Sequence, residues 1–491
     1  MFRLNSCKCF ALALGVAAGV CVSTSAIAQE VRYDARSAKG KAMLKIYAQG
    51  VAKMKATPAS DPDSWTFQWY THAIRNDKTK AGELMAIFGA GASPNKMLAQ
   101  SMWDTCQPHM PPNVEDDFLP WHRMYVYYFE KIIRDVTGEK TFTLPYWNYS
   151  VAGPEHGVIP PEFTKKNDPL FKSLYVENRS PGVNMGQPID KGRPPGALST
   201  DALDECFYEP TSGVHPGFCS KLDNGLHGMV HVLVGDGQNM GSVPWAARDP
   251  IFWLHHCNID RLWASWNKAG RSNPAGMGSF TFAENKMPVV AKISDWMFPE
   301  TEKHGYCYDH LETVPKCPTT RADLIARLQN QVRVAAMKAK GIKLEAGHTK
   351  VSLDLISPKE GVKPMALPAR IQALAKDKHL SLIVKNLKAD APPGIVYDLY
   401  LDLPAGAKGD KMTPHFIGTI NFFDAVRHGD GHEKMAQKGP ERFYQFDITN
   451  LARTLHGKNL LAASPTVTIA PAGTPAEKAN PVIGEIYIVE H

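Results

Sequence analysis

The stretch Asp249-Pro-Ile-Phe-Trp-Leu-His255-His256-Cys-Asn-Ile-Asp-Arg-Leu-Trp263 sets two adjacent histidines inside an apolar run of helical length. Phe252, His256, Ile259, Trp263 and Trp266 recur at helical spacing, which puts His256 on the buried stripe and His255 beside it. An imidazole buried without a partner is unfavourable, so something must satisfy the pair. Upstream, the same pattern returns. In Phe118-Leu-Pro-Trp-His122-Arg, Pro120 suits a first helical turn, and His122, Val126, Phe129 and Ile133 share one face. In His227-Gly-Met-Val-His231 the i, i+4 spacing sets two imidazoles one above the other on one side of a helix. With His109, and with His72 in Trp69-Tyr-Thr-His-Ala-Ile-Arg75, these make six candidate metal ligands.

Taken singly, each reads as an ordinary core or surface histidine. Gathered on apolar helix faces, with no Asp or Glu at ligand spacing among them, they point to metal. A zinc protease needs Glu directly after His227 as its general base, and Gly228 stands there. An imidazole-only shell suits copper, zinc or nickel, whereas di-iron sites recruit carboxylates. Two metals with three neutral ligands each keep open positions where oxygen could bind. A structural zinc protein is the alternative outside catalysis.

These motifs resemble those of the type-3 dicopper proteins: tyrosinases, catechol oxidases and molluscan hemocyanins. The resemblance implies two copper ions, the first held by His72, His109 and His122, the second by His227, His231 and His256. His109 is the only histidine between His72 and His122, and its thirteen-residue distance to His122 implies an insertion over residues 110–116. His255 becomes a neighbour lining the site. Some members carry a thioether from a cysteine to the second ligand of the first copper. Cys106 is the candidate here, with a free buried thiol as the alternative. The implied activity uses O2 to hydroxylate monophenols such as L-tyrosine and to oxidise o-diphenols such as L-DOPA to o-quinones. A catechol oxidase without strong monophenolase activity and a hemocyanin-like oxygen carrier share the ligand set. By the same resemblance Val243, Gly228, Val232 and Asp223 line the substrate pocket. Val243 leaves room where plant catechol oxidases place a Phe, and Asp223 stands where an acidic residue holds a water.

The chain begins with Arg3 and Lys8, an apolar run from Phe10 to Val22 and the small-residue site Ala26-Ile-Ala28. This reads as a signal peptide over residues 1–28, and implies export to the periplasm or beyond with no membrane span afterwards. Of the nine cysteines, Cys206 with Cys219 and Cys307 with Cys317 are close enough in sequence to form disulfides. A net charge of +6 over 491 residues, without a Lys/Arg-rich run, gives no sign of a nucleic-acid partner. Oligomeric state does not follow from the sequence.

Length calls for more than one domain. Helical periodicity and tryptophans fill residues 29–340, the expected catalytic domain: mainly α, with a four-helix bundle around the dicopper site. Its loop over 153–195 should wrap the helices. Residues 341–348 read as a linker, and 349–491 as an all-β sandwich from the alternating runs Val351–Ile356, Leu380–Val384, Val396–Leu401, Phe443–Ile448 and Ile483–Val489. The segment Phe416–Phe423 is similar to the C-terminal domain of plant polyphenol oxidases. That implies a shield over the copper site, with Phe422, Phe423 or His428 as the plug. Asp260, Arg261 and Arg123, beside the ligands, should form buried ion pairs, and Trp121, Phe252, Trp253 and Trp263 should lie in the core.

Overall fold

The computed structural model describes residues 30–107, 117–210, 215–298, 304–317, 331–357, 360–407, 412–426 and 443–491. The expected signal peptide, His109 and His428 lie outside these residues.

The helical part runs β1 (Glu30–Arg32), α1 (Ala38–Ala56), α2 (Trp65–His72), α3 (Lys80–Phe88), α4 (Pro94–Met102), α5 (Phe118–Thr137), α6 (Gly217–Leu222), a π-turn (Asp223–His227), α7 (Gly228–Val234), α8 (Val243–Ala246), α9 (Ile251–Lys268), the hairpin β2 (Ser279–Glu284) and β3 (Met287–Lys292), and β4 (Tyr306–Tyr308). Local chemistry sets the ends. Ser37 and Ser64 cap α1 and α2 by accepting from Gly40 and Phe67 N–H at 2.9 and 3.1 Å. Gly138, at φ 82°, stops α5 in the left-handed conformation that glycine adopts without penalty. Asp249 receives Ile251 N–H at 3.1 Å at the start of α9, and its carboxylate is clamped by the buried Arg179 at 2.7 and 2.8 Å. The loop over 153–195 carries only short 3-10 turns, as expected.

Helices α2, α5, α7 and α9 form the expected bundle, with α1 packed against α5. Phe129 of α5 stacks on Trp253 of α9, and Trp65 meets both rings edge-on. Trp121, Phe252, Trp253 and Trp263 are fully buried. Below these rings lies an ion network. Asp260 accepts from Arg123 Nε at 2.5 Å, from Arg32 of β1 at 3.2 Å and from the Tyr306 and Tyr308 hydroxyls of β4 at 2.7 and 2.5 Å. Arg32 also donates to Glu130 at 3.0 Å. Burial alone would raise the Asp260 pKa, but Arg123, Arg32 and the two phenols outweigh it and hold the carboxyl below its usual range. Arg261 does not share in this pairing. It turns to Asn258 at 2.8 Å and Glu312 at 2.7 Å.

From Val332 the chain is a β sandwich made of β5 (Val332–Ala336), β6 (Ile342–Lys343), β7 (Thr349–Ser352), β8 (Asp354–Leu355), β9 (Leu380–Lys388), β10 (Tyr397–Leu401), β11 (Phe416–Ile420), β12 (Phe443–Asp447), β13 (Thr466–Pro471) and β14 (Val482–Glu490). One sheet has the order β11-β10-β13-β7 and the other β12-β9-β14-β5-β8, with β6 on β14; neighbours are antiparallel. Leu382, Val384, Leu399, Ile469, Ile486 and Ile488 fill the space between them.

Two expectations are corrected. The β domain starts before residue 349: β5 pairs with the far end of the chain, Val332 opposite Glu490, and the expected linker 341–348 contains β6. Short strands whose partners lie about 150 residues away leave little local pattern. The disulfide joins Cys206 to Cys317 across 111 residues, so neither expected short-range pair forms. β4 runs parallel to β1, which buries Cys307 in the core and carries Cys317 away from it.

Asp260→Ala should leave Arg32 and Arg123 facing each other in a dry core and destabilise the metal-free protein by about 3–5 kcal/mol. Denaturant unfolding checks this, and a wild-type midpoint would contradict it.

Candidate metal centre

The bundle brings five of the six expected ligands, and His255, into one buried cluster. His72 ends α2, His122 opens the second turn of α5, His227 ends the π-turn, His231 is on α7, and His255 and His256 are on α9. None is more than 4 % exposed. His227 and His231 have ring centroids 4.5 Å apart, and each lies 5.1 to 5.6 Å from His256. His122 stacks on His256 at 4.2 Å and lies 5.9 Å from His72. Two ligand-like groups result. Ring nitrogens of His227, His231, His255 and His256 fall within 4.8 Å of one another, as do donor atoms of His72, Cys106 and His122.

Each helix aims its imidazole by tying the outer nitrogen. His122 Nδ1 is 2.7 Å from Phe118 O, His231 Nδ1 is 2.8 Å from Met240 O, and His227 Nδ1 is 3.3 Å from Asp223 O with the Asp223 carboxylate in ion-pair contact at 2.7 Å. With N–H on Nδ1, each Nε2 keeps a lone pair turned inward. Among the described residues, His231 Nε2 and both ring nitrogens of His255 and His256 have no hydrogen-bond partner. Buried polar atoms are rarely left so, and a thiophilic or borderline cation satisfies them. Burial, then the neighbouring imidazole of His227, pushes the His122 pKa down to about 3. Burial and the surrounding rings likewise hold His231, His255 and His256 well below the usual range. These four rings are therefore neutral near pH 7, which is the state that binds metal.

Aromatic rings close the space. Phe118 lies 4.8 Å from both His122 and His227, and Phe252 lies between His72 at 4.9 Å and His256 at 4.2 Å. Phe423, from the β domain, stacks on His231 at 4.1 Å with the planes 12° apart. Of the two expected plug residues that are described, Phe422 and Phe423, it is the one at the cluster. Phe422 turns into the β core against Tyr397.

The other sequence-predicted residues divide. Asp223 is buried against His227 instead of lining an open pocket. Gly228 is filled from outside: a Cβ built there would lie 2.6 Å from Asn421 Oδ1 of the β domain. Val232 is buried on α7 and Val243, half-buried, opens α8. Cys106 Sγ stands 3.5 Å from His122 Nε2, a contact that reasoning about His109 did not foresee. Asn421 was also missed; the absent side chain at Gly228 is the one signal in the sequence that something approaches there.

Comparison with known proteins settles the family. Residues 62–201 and 197–269 match the model described as the common central domain of tyrosinase. A tyrosinase of Hahella sp. (strain CCB-MM4) is 31% identical over 418 residues, covering 77% of this chain and 82% of that protein. The chain belongs to the tyrosinase family. A chloroplastic polyphenol oxidase of Vicia faba is 24% identical over 461 residues, covering 84% of this chain and 70% of its own. Residues 331–491 match a domain of unknown function, in line with the boundary at β5. Among solved structures, latent aurone synthase has a TM-score of 0.57 and latent apple tyrosinase 0.56, both at 21% identity, covering 94% of this chain and 90% and 97% of theirs. These share the fold over both domains. The family's cofactor is a dicopper centre, and a buried cluster of imidazoles with unpartnered ring nitrogens fits it.

Because the pKa of His122 falls from 6.5 to about 3 on folding, the unfolded chain binds more protons in that window. Stability of the metal-free protein is then full above about pH 6.5 and is lost as pH falls towards 3. Urea midpoints measured from pH 7 to 4 should decline steadily, and a flat profile would contradict neutral buried imidazoles.

Proposed function

We propose that His72, His109 and His122 hold one copper ion and His227, His231 and His256 the other, and that residues 331–491 shield this centre in an exported phenol oxidase. The enzyme class follows from the family: a copper oxidoreductase of the tyrosinase and polyphenol oxidase type, acting on phenols with O2. The observation that carries the ligand set is the outward anchoring of Nδ1 on His122, His231 and His227, around a centre where His231 Nε2 and both ring nitrogens of His256 have no hydrogen-bond partner.

Bound copper supplies the redox chemistry, taking electrons from the phenol and delivering them to O2. The protein's own residues fix where this happens. The carbonyls of Phe118 and Met240 set ring orientation and tautomer, and Asp223 adds negative charge behind His227, which strengthens its donor nitrogen. Phe118 and Phe252 exclude water. His255, stacked on His227 at 5.3 Å, lines the site in this reading, with Val232 and Val243 as uncharged walls of the mouth. A small aromatic substrate suits such a lining. L-DOPA would be oxidised to its o-quinone and L-tyrosine hydroxylated ortho to its oxygen.

Phe423 occupies the face of His231 that a substrate ring would use, so a phenol must displace it. That supports a shielding role for the β domain, in which Asn421 fills the notch left by Gly228. Export rests on Arg3, Lys8, the apolar run and Ala26-Ile-Ala28. No described helix is long and apolar enough to cross a membrane.

His256→Ala should lower copper from two per chain to one and reduce O2 uptake with catechol to background; elemental analysis and an oxygen electrode check both, and two coppers with normal turnover would refute the ligand set. Phe423→Ala should raise catechol oxidation by the full-length protein about two- to tenfold, the equivalent of about 0.5–1.5 kcal/mol for a lost ring stack. Unchanged or lower turnover would remove Phe423 as the plug.

A further inference from the structure

Asn224 O lies in the π-turn that delivers His227. In a continuous α-helix this carbonyl would accept from Gly228 N–H, but here Gly228 N–H bonds Asp223 O and Gly225 O. The backbone leaves helical geometry at Gly225, with φ −82° and ψ −106°. Asn224 O is satisfied from another domain: Asn421 Nδ2 and the Tyr444 hydroxyl each donate to it at 2.8 Å. All three residues are buried.

We propose that Asn421 and Tyr444 are positioning residues for His227, so that the β domain maintains the second copper position as well as covering it. The proposal rests on the reading of His227 as a copper ligand. The π-turn register brings His227 Nδ1 to Asp223 Oδ1 at 2.7 Å and its ring to 4.5 Å from His231. If the turn reverts to a plain α-helix, Gly228 N–H returns to Asn224 O and the residues after Gly225 rotate, taking His227 away from both partners. The clamp opposes this by occupying the carbonyl that reversion needs. Its own parts are braced: the Tyr444 hydroxyl accepts from Asn421 N–H at 3.1 Å, and Asn421 Oδ1 accepts from Phe423 N–H at 3.1 Å. Gly228 completes the arrangement, because a side chain there would displace the Asn421 amide.

The test is copper retention in the full-length holoenzyme. Wild type, Tyr444→Phe, Asn421→Ala and Phe423→Ala are each titrated with a copper chelator, and copper per chain is counted after desalting. Tyr444→Phe and Asn421→Ala should release one of the two coppers at roughly 10- to 100-fold lower chelator concentration than wild type, the effect expected when a group orienting a ligand is removed. The remaining cupric ion should show the paramagnetic resonance of an isolated centre. The other copper should be held as in wild type, the metal-free protein should still unfold in a single transition, and Phe423→Ala should retain both metals. Wild-type retention in Tyr444→Phe and Asn421→Ala overturns the proposal. So does joint loss of both coppers with a lowered midpoint, which would assign these contacts to the fold. Equal loss in Phe423→Ala also overturns it, because uncovering the site would then suffice. A His227→Ala protein that keeps two coppers would instead refute the ligand reading.

Discussion

An imidazole buried in a dry helical core stays neutral, and neutral imidazole is the form that donates to a metal. The rest of the structure depends on keeping several such rings in that state with their lone pairs converging. No hydrogen bond within the cluster could do this for all of them, because every donor made inside it would use up a lone pair. The chain solves the problem from behind, with Phe118 O, Met240 O and Asp223 each taking the outer nitrogen of one ring. Phe118 O anchors His122 from one turn back on the same helix, Met240 O anchors His231 from the segment after α7, and Asp223 lies four residues before His227, so ring orientation follows from backbone position. That position is in turn fixed by Asp260, which joins α5, α9, β1 and β4 through two arginines and two phenols.

Among the described residues, the β domain meets this centre through the segment Asn421–Phe423 and through Tyr444 of β12. Asn421 reaches the π-turn, Phe423 reaches the His231 ring, and the two are linked by a hydrogen bond from Phe423 N–H to Asn421 Oδ1. The contact with the His231 ring and the contact with the π-turn are thus mechanically connected. Any rearrangement that withdraws Phe423 pulls on the residue that steadies the turn before His227. The notch at Gly228 makes the approach feasible, since only a residue without a side chain admits the Asn421 amide at that distance.

Much of this was legible in the sequence, for a physical reason. On α5 and α9 the apolar period is strong enough to fix which face is buried, and His122 and His256 fall on it. The long alternating strands β9, β10, β12 and β14 announce themselves in the same way. What could not be read depends on contacts distant in sequence. β5 is five residues whose meaning comes from pairing with the end of the chain. Cysteine spacing suggested local disulfides, yet Cys206 pairs with Cys317 across 111 residues while Cys307 is held in β4 against β1. Arg261 stands next to Asp260 in sequence, but consecutive helical residues point in different directions, and it reaches Glu312 instead. The roles of Asn421 and Tyr444 left no periodic trace at all, because a single polar contact between domains has none.

The central claim is that this fold assembles two metal positions from neutral imidazoles. Elemental analysis of the purified, metal-replete, full-length protein tests it most directly. The account predicts two coppers per chain, and a reproducible value of one or none would contradict it.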